Sequence, residues 1–420
     1  MAETVEAVET VETNEKIEEM NFVDKAKEFI STIPYNKIGM KDILNYEKEP
    51  RNNLVAFAII VFLAMFVIGV VTYLIHGHHA YNVTREHPWG LLIAVYIFFV
   101  VSSTGLCIIG SLGDVFGFKD YEMISKRAIF GSIVTILAGF AVIAFEIGHP
   151  VTMVIYNVLS PGLTSAIWWM GTLYGIYLTF MIIEFIFLLK HDMKSAKIFG
   201  LIGLLVGLAA HSNLGSVFGF LNARPISNGV FYPTYFILTA FITGVFISFI
   251  LMGWRYKLEF PDNAKKMLEG LAKIQGLLIS ILIFFVTWKM LTDIYGGIPN
   301  RAEVSIHILG SWTFWAEVIL AMLIPLYIIL KDMGKNINGM FWASLSGMVG
   351  IFFMRYNLVH DTQLKPLQMM KTREYQLTPE WIHYFPSATE IMISLGGLGL
   401  CLLLYYVGSK LFNLDADETH

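Results

Sequence analysis

Cysteine is almost missing from this chain. Two thiols, Cys107 and Cys401, occur in 420 residues, and both lie inside apolar runs. That excludes a disulfide framework and any cysteine-held zinc or iron–sulfur site, each of which needs more thiolates at set spacing. Charge is scarce as well. Only 15% of residues are Asp, Glu, Lys or Arg, against about 25% in a soluble domain. No basic patch extends beyond short loops, so nucleic acid is not an expected partner. The N-terminus lacks the basic start and apolar centre of a cleavable leader. Residues 1–20 are acidic and low in complexity and read as a disordered tail. Residues 22–33 alternate apolar and charged positions at helical spacing, which suits either a helix lying on a membrane surface or an ordinary linker helix.

What the chain has in abundance is grease: 56% hydrophobic residues and a mean hydropathy of +0.62. The apolar runs are continuous and not alternating, so the expectation is an all-α integral membrane protein and not a barrel. Spans are expected at residues 54–75, 89–112, 128–146, 167–189, 198–221, 231–253, 271–293, 311–330, 340–355 and 388–407. The ninth is short and Gly-rich. A cytoplasmic tail (1–50), a transmembrane domain (51–410) and a second cytoplasmic tail (411–420) complete the plan. Alternate connections hold seventeen Lys and Arg on one side and six on the other. The basic side is cytoplasmic by the positive-inside rule, which puts both termini there.

On that map, charge within the spans gathers at the outer face. Glu146 ends the third span and Arg224 follows the fifth. Lys289 and Asp293 end the seventh, Glu317 stands near the start of the eighth, Arg355 ends the ninth and Glu390 opens the tenth. Glu184, near the cytoplasmic end of the fourth, is the main exception, and His211 and Asn213 sit near the middle of the fifth. Snorkelling would populate both faces and needs longer side chains than Asp and Glu. A one-sided set of costly charges points to a working site.

Spans two to five can be laid over six to nine. Glu146 then matches Asp293, Trp168 and Trp169 match Trp312 and Trp315, and Arg224 matches Arg355. Each unit has four helices, so the copies share one direction, giving two parallel four-helix bundles plus two extra helices.

The ordered landmarks are Trp89-Gly90, Ser102-Ser103-Thr104-Gly105, Glu146-Ile147-Gly148-His149-Pro150, Asn157 to Pro161, and Asn222-Ala223-Arg224-Pro225. Glu317, Arg355-Tyr356-Asn357 and Tyr384-Phe385-Pro386-Ser387 with Glu390 follow. In this order they resemble the NrfD family of quinone-interacting membrane subunits, across roughly residues 50–408. That family includes the membrane subunits of polysulfide reductase, of some hydrogenases and of alternative complex III. The resemblance implies a subunit of the bacterial inner membrane with menaquinone or ubiquinone as substrate. It implies an iron–sulfur partner subunit on the periplasmic face, further redox subunits, and no haem or cluster in this chain. Glu146 matches the family's quinone-site acid, which generally has arginine where His149 stands. Some members place a quinol-binding histidine near the position of Ser103.

Chemically, quinol oxidation needs a hydrogen-bond partner at a ring hydroxyl and a base for the proton. Glu146 is the expected base, with His149 as a second proton acceptor one turn away and Arg224 as the tuning cation. Ser102, Ser103 and Thr104 join them as quinone-binding candidates. Glu184, His211, Asp293, Glu317, Arg355 and Glu390 are candidates for a proton path, and no metal site is expected. The histidines of the first outer loop, His76, His78, His79 and His87, read as solvated. A secondary transporter with parallel repeats is the alternative, and it would need broken helices and a polar midplane. The helices read as continuous.

Overall fold

The computed structural model describes residues 27, 31–37, 50–367 and 380–415. The whole acidic tail, most of the 22–33 stretch, and residues 38–49, 368–379 and 416–420 lie outside them. Among the described residues the structure is helical and without strands. It contains ten helices long and apolar enough to cross a membrane.

In order these are α1 (Pro50–His76), α2 (Leu91–Asp114), α3 (Lys119–Glu146), the short α4 (Pro150–Leu159), α5 (Ala166–Leu189) and α6 (Met193–Gly219). After them come α7 (Phe231–Arg255), α8 (Asp262–Tyr295), the short α9 (Arg301–Leu309), α10 (Trp312–Asp332), α11 (Ile337–Asp361) and α12 (Ala388–Leu411). Helix is the only economical state here, because a backbone in lipid must satisfy its own hydrogen bonds. Polar side chains mark the starts: Ser165, Asp192 and Asn336 cap α5, α6 and α11, and Ser387 with Glu390 forms a capping box on α12.

Lipid is as apolar as leucine, so helices in a bilayer associate through close packing and not through expelled water. The tightest approach is between α2 and α7. Gly105 faces Gly244, and a Cβ on either would overlap the other's backbone. Around this crossing, α2, α3, α5 and α6 pack on one another on one side, and α7, α8, α10 and α11 on the other. Helices α1 and α12 pair outside, with α12 also resting on α2 and α3. Backbone and side-chain amides of Asn36 donate to the carbonyls of Leu411 and Lys410 and tie the N-terminal segment to the end of α12.

Local details recur between the two groups. Short helices α4 and α9 occupy equivalent places. Trp169 Nε1 donates to the Leu163 carbonyl and Trp315 Nε1 to the Leu309 carbonyl, both at 2.9 Å. Ser165 and Ser311 cap the helices that follow.

Three expectations change. The ninth span is a full helix, α11, that continues to Asp361, so Arg355 lies within it and not at its end. Counted from the matching caps Asp192 and Asn336, Arg355 falls opposite His211 and not opposite Arg224, which sits in the loop after α6. Helix α10 is not α-helical throughout: a π turn, Val318–Leu323, follows Glu317. Such turns concentrate at functional positions, yet the helix stays hydrogen-bonded and does not unwind.

Candidate functional site

The end of the bundle that carries Glu146 is closed by loops stitched side chain to backbone. Glu390 is the centre of this stitching. It is fully buried. Its Oε1 accepts from the Tyr384 hydroxyl at 2.5 Å and from Leu91 N at 3.3 Å, and its Oε2 accepts from Asn82 N at 3.1 Å and Ser387 N at 2.8 Å. One carboxylate thus holds the start of α2, the start of α12 and the loop between α1 and α2. Gln363 exchanges two 3.0 Å hydrogen bonds with the backbone of Trp89.

Arg224 belongs to the same stitching. Its guanidinium donates to the carbonyls of Lys365 and, at 3.3 Å, of Glu86. It does not pair with Glu146, contrary to the expectation from sequence, because the residues of the α6–α7 loop turn it toward the adjoining loops. Glu146 Oε2 is buried and has no hydrogen-bond partner among the described residues. Tyr81 donates to the neighbouring Phe145 carbonyl at 3.1 Å, and Glu390 is the charged group within electrostatic reach. His149 is not one helical turn away: α3 ends at Glu146, the chain runs extended through Ile147, and exposed His149 starts α4.

The serines of α2 face in different directions. Ser103 bonds Ser132 and Tyr177 inside the first helix group. Thr104 returns its hydroxyl to the Val100 carbonyl. Ser102 bonds the Phe98 carbonyl and lines a groove of about 980 Å³ between α2, α3, α7, α11 and α12.

At the Glu146 end that groove reaches His360 and Tyr384. His360 Nδ1 lies 3.1 Å from His87 Nε2, and His87 stacks on Tyr384 with centroids 4.3 Å apart. His87 is therefore not a solvated loop histidine; it is 1% exposed. Burial first, and the neighbouring His360 second, push it down from 6.5 to about 4. The native chain holds it neutral, while the unfolded chain binds a proton from about pH 6.5 downward. Its contribution to stability is complete above pH 6.5 and is lost as pH falls toward 4. The melting temperature of the solubilised protein should accordingly drop between pH 7 and pH 5, and His87→Gln should flatten that part of the profile. An unchanged slope in the variant would show that His87 does not titrate on unfolding.

Inside the first helix group, polar residues form steps and not one site. Glu184 is fully buried against Gly200, and neither oxygen has a partner among the described residues; Asp114 is within electrostatic reach. Tyr174 bonds His211 Nδ1 at 3.0 Å. His211 and Arg355 flank the ring of Phe236, the latter at 4.8 Å, and Arg355 Nη2 donates to Thr239 Oγ1 at 2.5 Å. In the second group, Asp293 is paired twice, with Lys289 at 2.6 Å and Arg301 at 3.1 Å. Glu317 accepts from Asn357 at 2.9 Å in a chamber of about 60 Å³ that Lys289 and Asp361 also line. Asn213 donates to the Ala166 carbonyl at 2.8 Å.

The sequence reading missed His360, Gln363 and the burial of His87. Their partners lie far along the chain, and no local spacing signals them. Tyr384 stood in a noted motif without an assigned role.

A many-helix membrane protein with acids and histidines collected under one rim is the class this fold and site define. The family model described as "Polysulphide reductase, NrfD" matches residues 77–366, and the chain belongs to that family. Two relatives extend the likeness over nearly the whole chain. The Hdr-like menaquinol oxidoreductase integral membrane subunit of Archaeoglobus fulgidus is 24% identical over 391 residues, 89% of this chain and 98% of the relative. A selenate reductase subunit of Mesobacillus selenatarsenatis is 23% identical over 419 residues, 87% of this chain and 96% of the relative. The protein is thus a multi-pass membrane subunit of a respiratory oxidoreductase.

Proposed function

We propose that this subunit binds quinone or quinol at its Glu146 end and exchanges electrons there with an iron–sulfur partner subunit. The Lys and Arg bias supports taking that end as the periplasmic one, with both termini cytoplasmic, and the reading sets the chain in a bacterial inner membrane. The observation that carries the reading is the Glu146 carboxylate, half-buried at a helix end with its buried oxygen free of protein donors. A quinol hydroxyl needs an acceptor of that kind, and the menaquinol oxidoreductase relative supports the substrate class. Oxidation releases two protons and two electrons; Glu146 takes the protons one after the other, passing each to water at the rim, and the partner's centres take the electrons one at a time. Running the other way, the same groups deliver them.

Proton movement along the first helix group is a second reading, supported by Glu184. Both oxygens of this buried carboxyl are without partners among the described residues, so they are free to take up a proton and hand it on. The transporter alternative fares worse, since no long helix among those described is unwound near its middle. The test of the main reading is redox: menaquinol added to the intact complex reduces the partner's centres, and a complex lacking this chain does not respond.

A further inference from the structure

The groove between α11 and α12 opens under the stitched rim, where Leu91 and Tyr384 line it, and Ser102 alone of the quinone-binding candidates read from sequence is on its wall. It runs along α12 from Ile391 to Tyr405, which at 1.5 Å per residue is about 21 Å of bilayer depth. Its volume of about 980 Å³ is at the upper end for sites that bury a small molecule. Its walls carry no Lys, Arg, Asp or Glu. A phospholipid head would want a cation for its phosphate and would find none among these residues. At the rim end, however, the groove meets the His360 ring, which has hydrogen-bonding capacity to spare, with the Tyr356 hydroxyl next to it and Ser394 Oγ further along the wall. His360 Nδ1 is engaged with His87, while its Nε2 has no bond to any described residue. Tyr356 stacks on His360 at 5.6 Å and fixes the ring's plane. The Tyr384 hydroxyl has spent its one proton on Glu390 and already accepts from Leu91 N.

We propose that this groove holds the isoprenoid tail of a prenylated quinone, with His360 Nε2 as the hydrogen-bond partner of one ring oxygen. The inference rests on the quinone reading above and adds the place and the contact. A long apolar chain with a neutral, two-oxygen head matches the slot in shape and in charge. His87 acts as a positioning residue: through its contact with Nδ1 it sets which nitrogen of His360 carries the proton, and so whether Nε2 accepts from quinol or donates to quinone. When His87 Nε2 accepts from Nδ1–H, His360 Nε2 is left as an acceptor and selects quinol.

The experiment is photolabelling of the intact complex with a menaquinone analogue that carries a diazirine on its tail. The expected result is crosslinking to the wall residues Met348, Phe352, Leu395 and Leu398, reduced by excess menaquinone and not by phosphatidylglycerol. Crosslinks elsewhere in this chain that menaquinone competes away would overturn the groove while leaving the quinone reading standing. Crosslinks in the groove that phosphatidylglycerol competes away would make it a lipid slot. No competable crosslink anywhere would sink both proposals. In parallel, His360→Gln should raise the KM for menaquinol about tenfold, the loss of one hydrogen bond, with tail crosslinking retained. An unchanged KM would remove His360 from the head contact.

Discussion

Glu146→Gln should lower quinone-linked turnover of the complex by about a hundredfold or more, the usual contribution of a positioned acid or base. Its thermal stability should stay close to wild type. Both halves follow from one feature: the buried Oε2 holds no partner, so an amide in its place breaks no hydrogen bond within the protein. What is lost is the ability to accept a proton. Steady-state assays with menaquinol and melting curves on the same preparation check the pair. Wild-type turnover would remove Glu146 from the chemistry, and a large fall in melting temperature would make its role structural.

Glu390→Gln should behave in the opposite way. Here four donors converge on one carboxylate, three of them backbone amides, two at helix starts and one in the α1–α2 loop. Replacing one oxygen by an NH2 group points donor at donor, and the buried N–H groups it faces lose their acceptor. Hydrogen bonds to charged groups contribute roughly 1.5–3 kcal/mol each, so losing two should cost about 3 kcal/mol or more. The expected readout is a melting temperature well below wild type and easier proteolysis of the 77–90 loop. Turnover per folded molecule should change far less than in the Glu146 variant. A stable Glu390→Gln protein would show that the rim does not depend on this carboxylate.

Sequence placed these two acids in one set, and geometry separates them. The set itself was legible because charge inside a long apolar run is costly and therefore conspicuous. The ten spans were legible for the same reason: about twenty apolar residues in a row have few other fates. Pairing was not legible. His87 and His360 are 273 positions apart, and Arg224 reaches carbonyls 138 and 141 positions away. Nothing local in the chain announces such partners. The ninth span was cut short because its glycines and Arg355 depress hydropathy, although packing around Phe236 and Thr239 buries that arginine completely. From that early cut came the wrong counterpart for Arg224. The end of α3 was blurred similarly: Gly148 and Pro150 signal a break, but only the extended Ile147 shows that His149 has left the helix.

The most direct measurement follows the partner's iron–sulfur centres by electron paramagnetic resonance after menaquinol is mixed with the intact complex. The account predicts reduction in the wild-type complex, slowed about a hundredfold by Glu146→Gln and absent without this chain. Reduction that proceeds at the same rate when the chain is missing would contradict it.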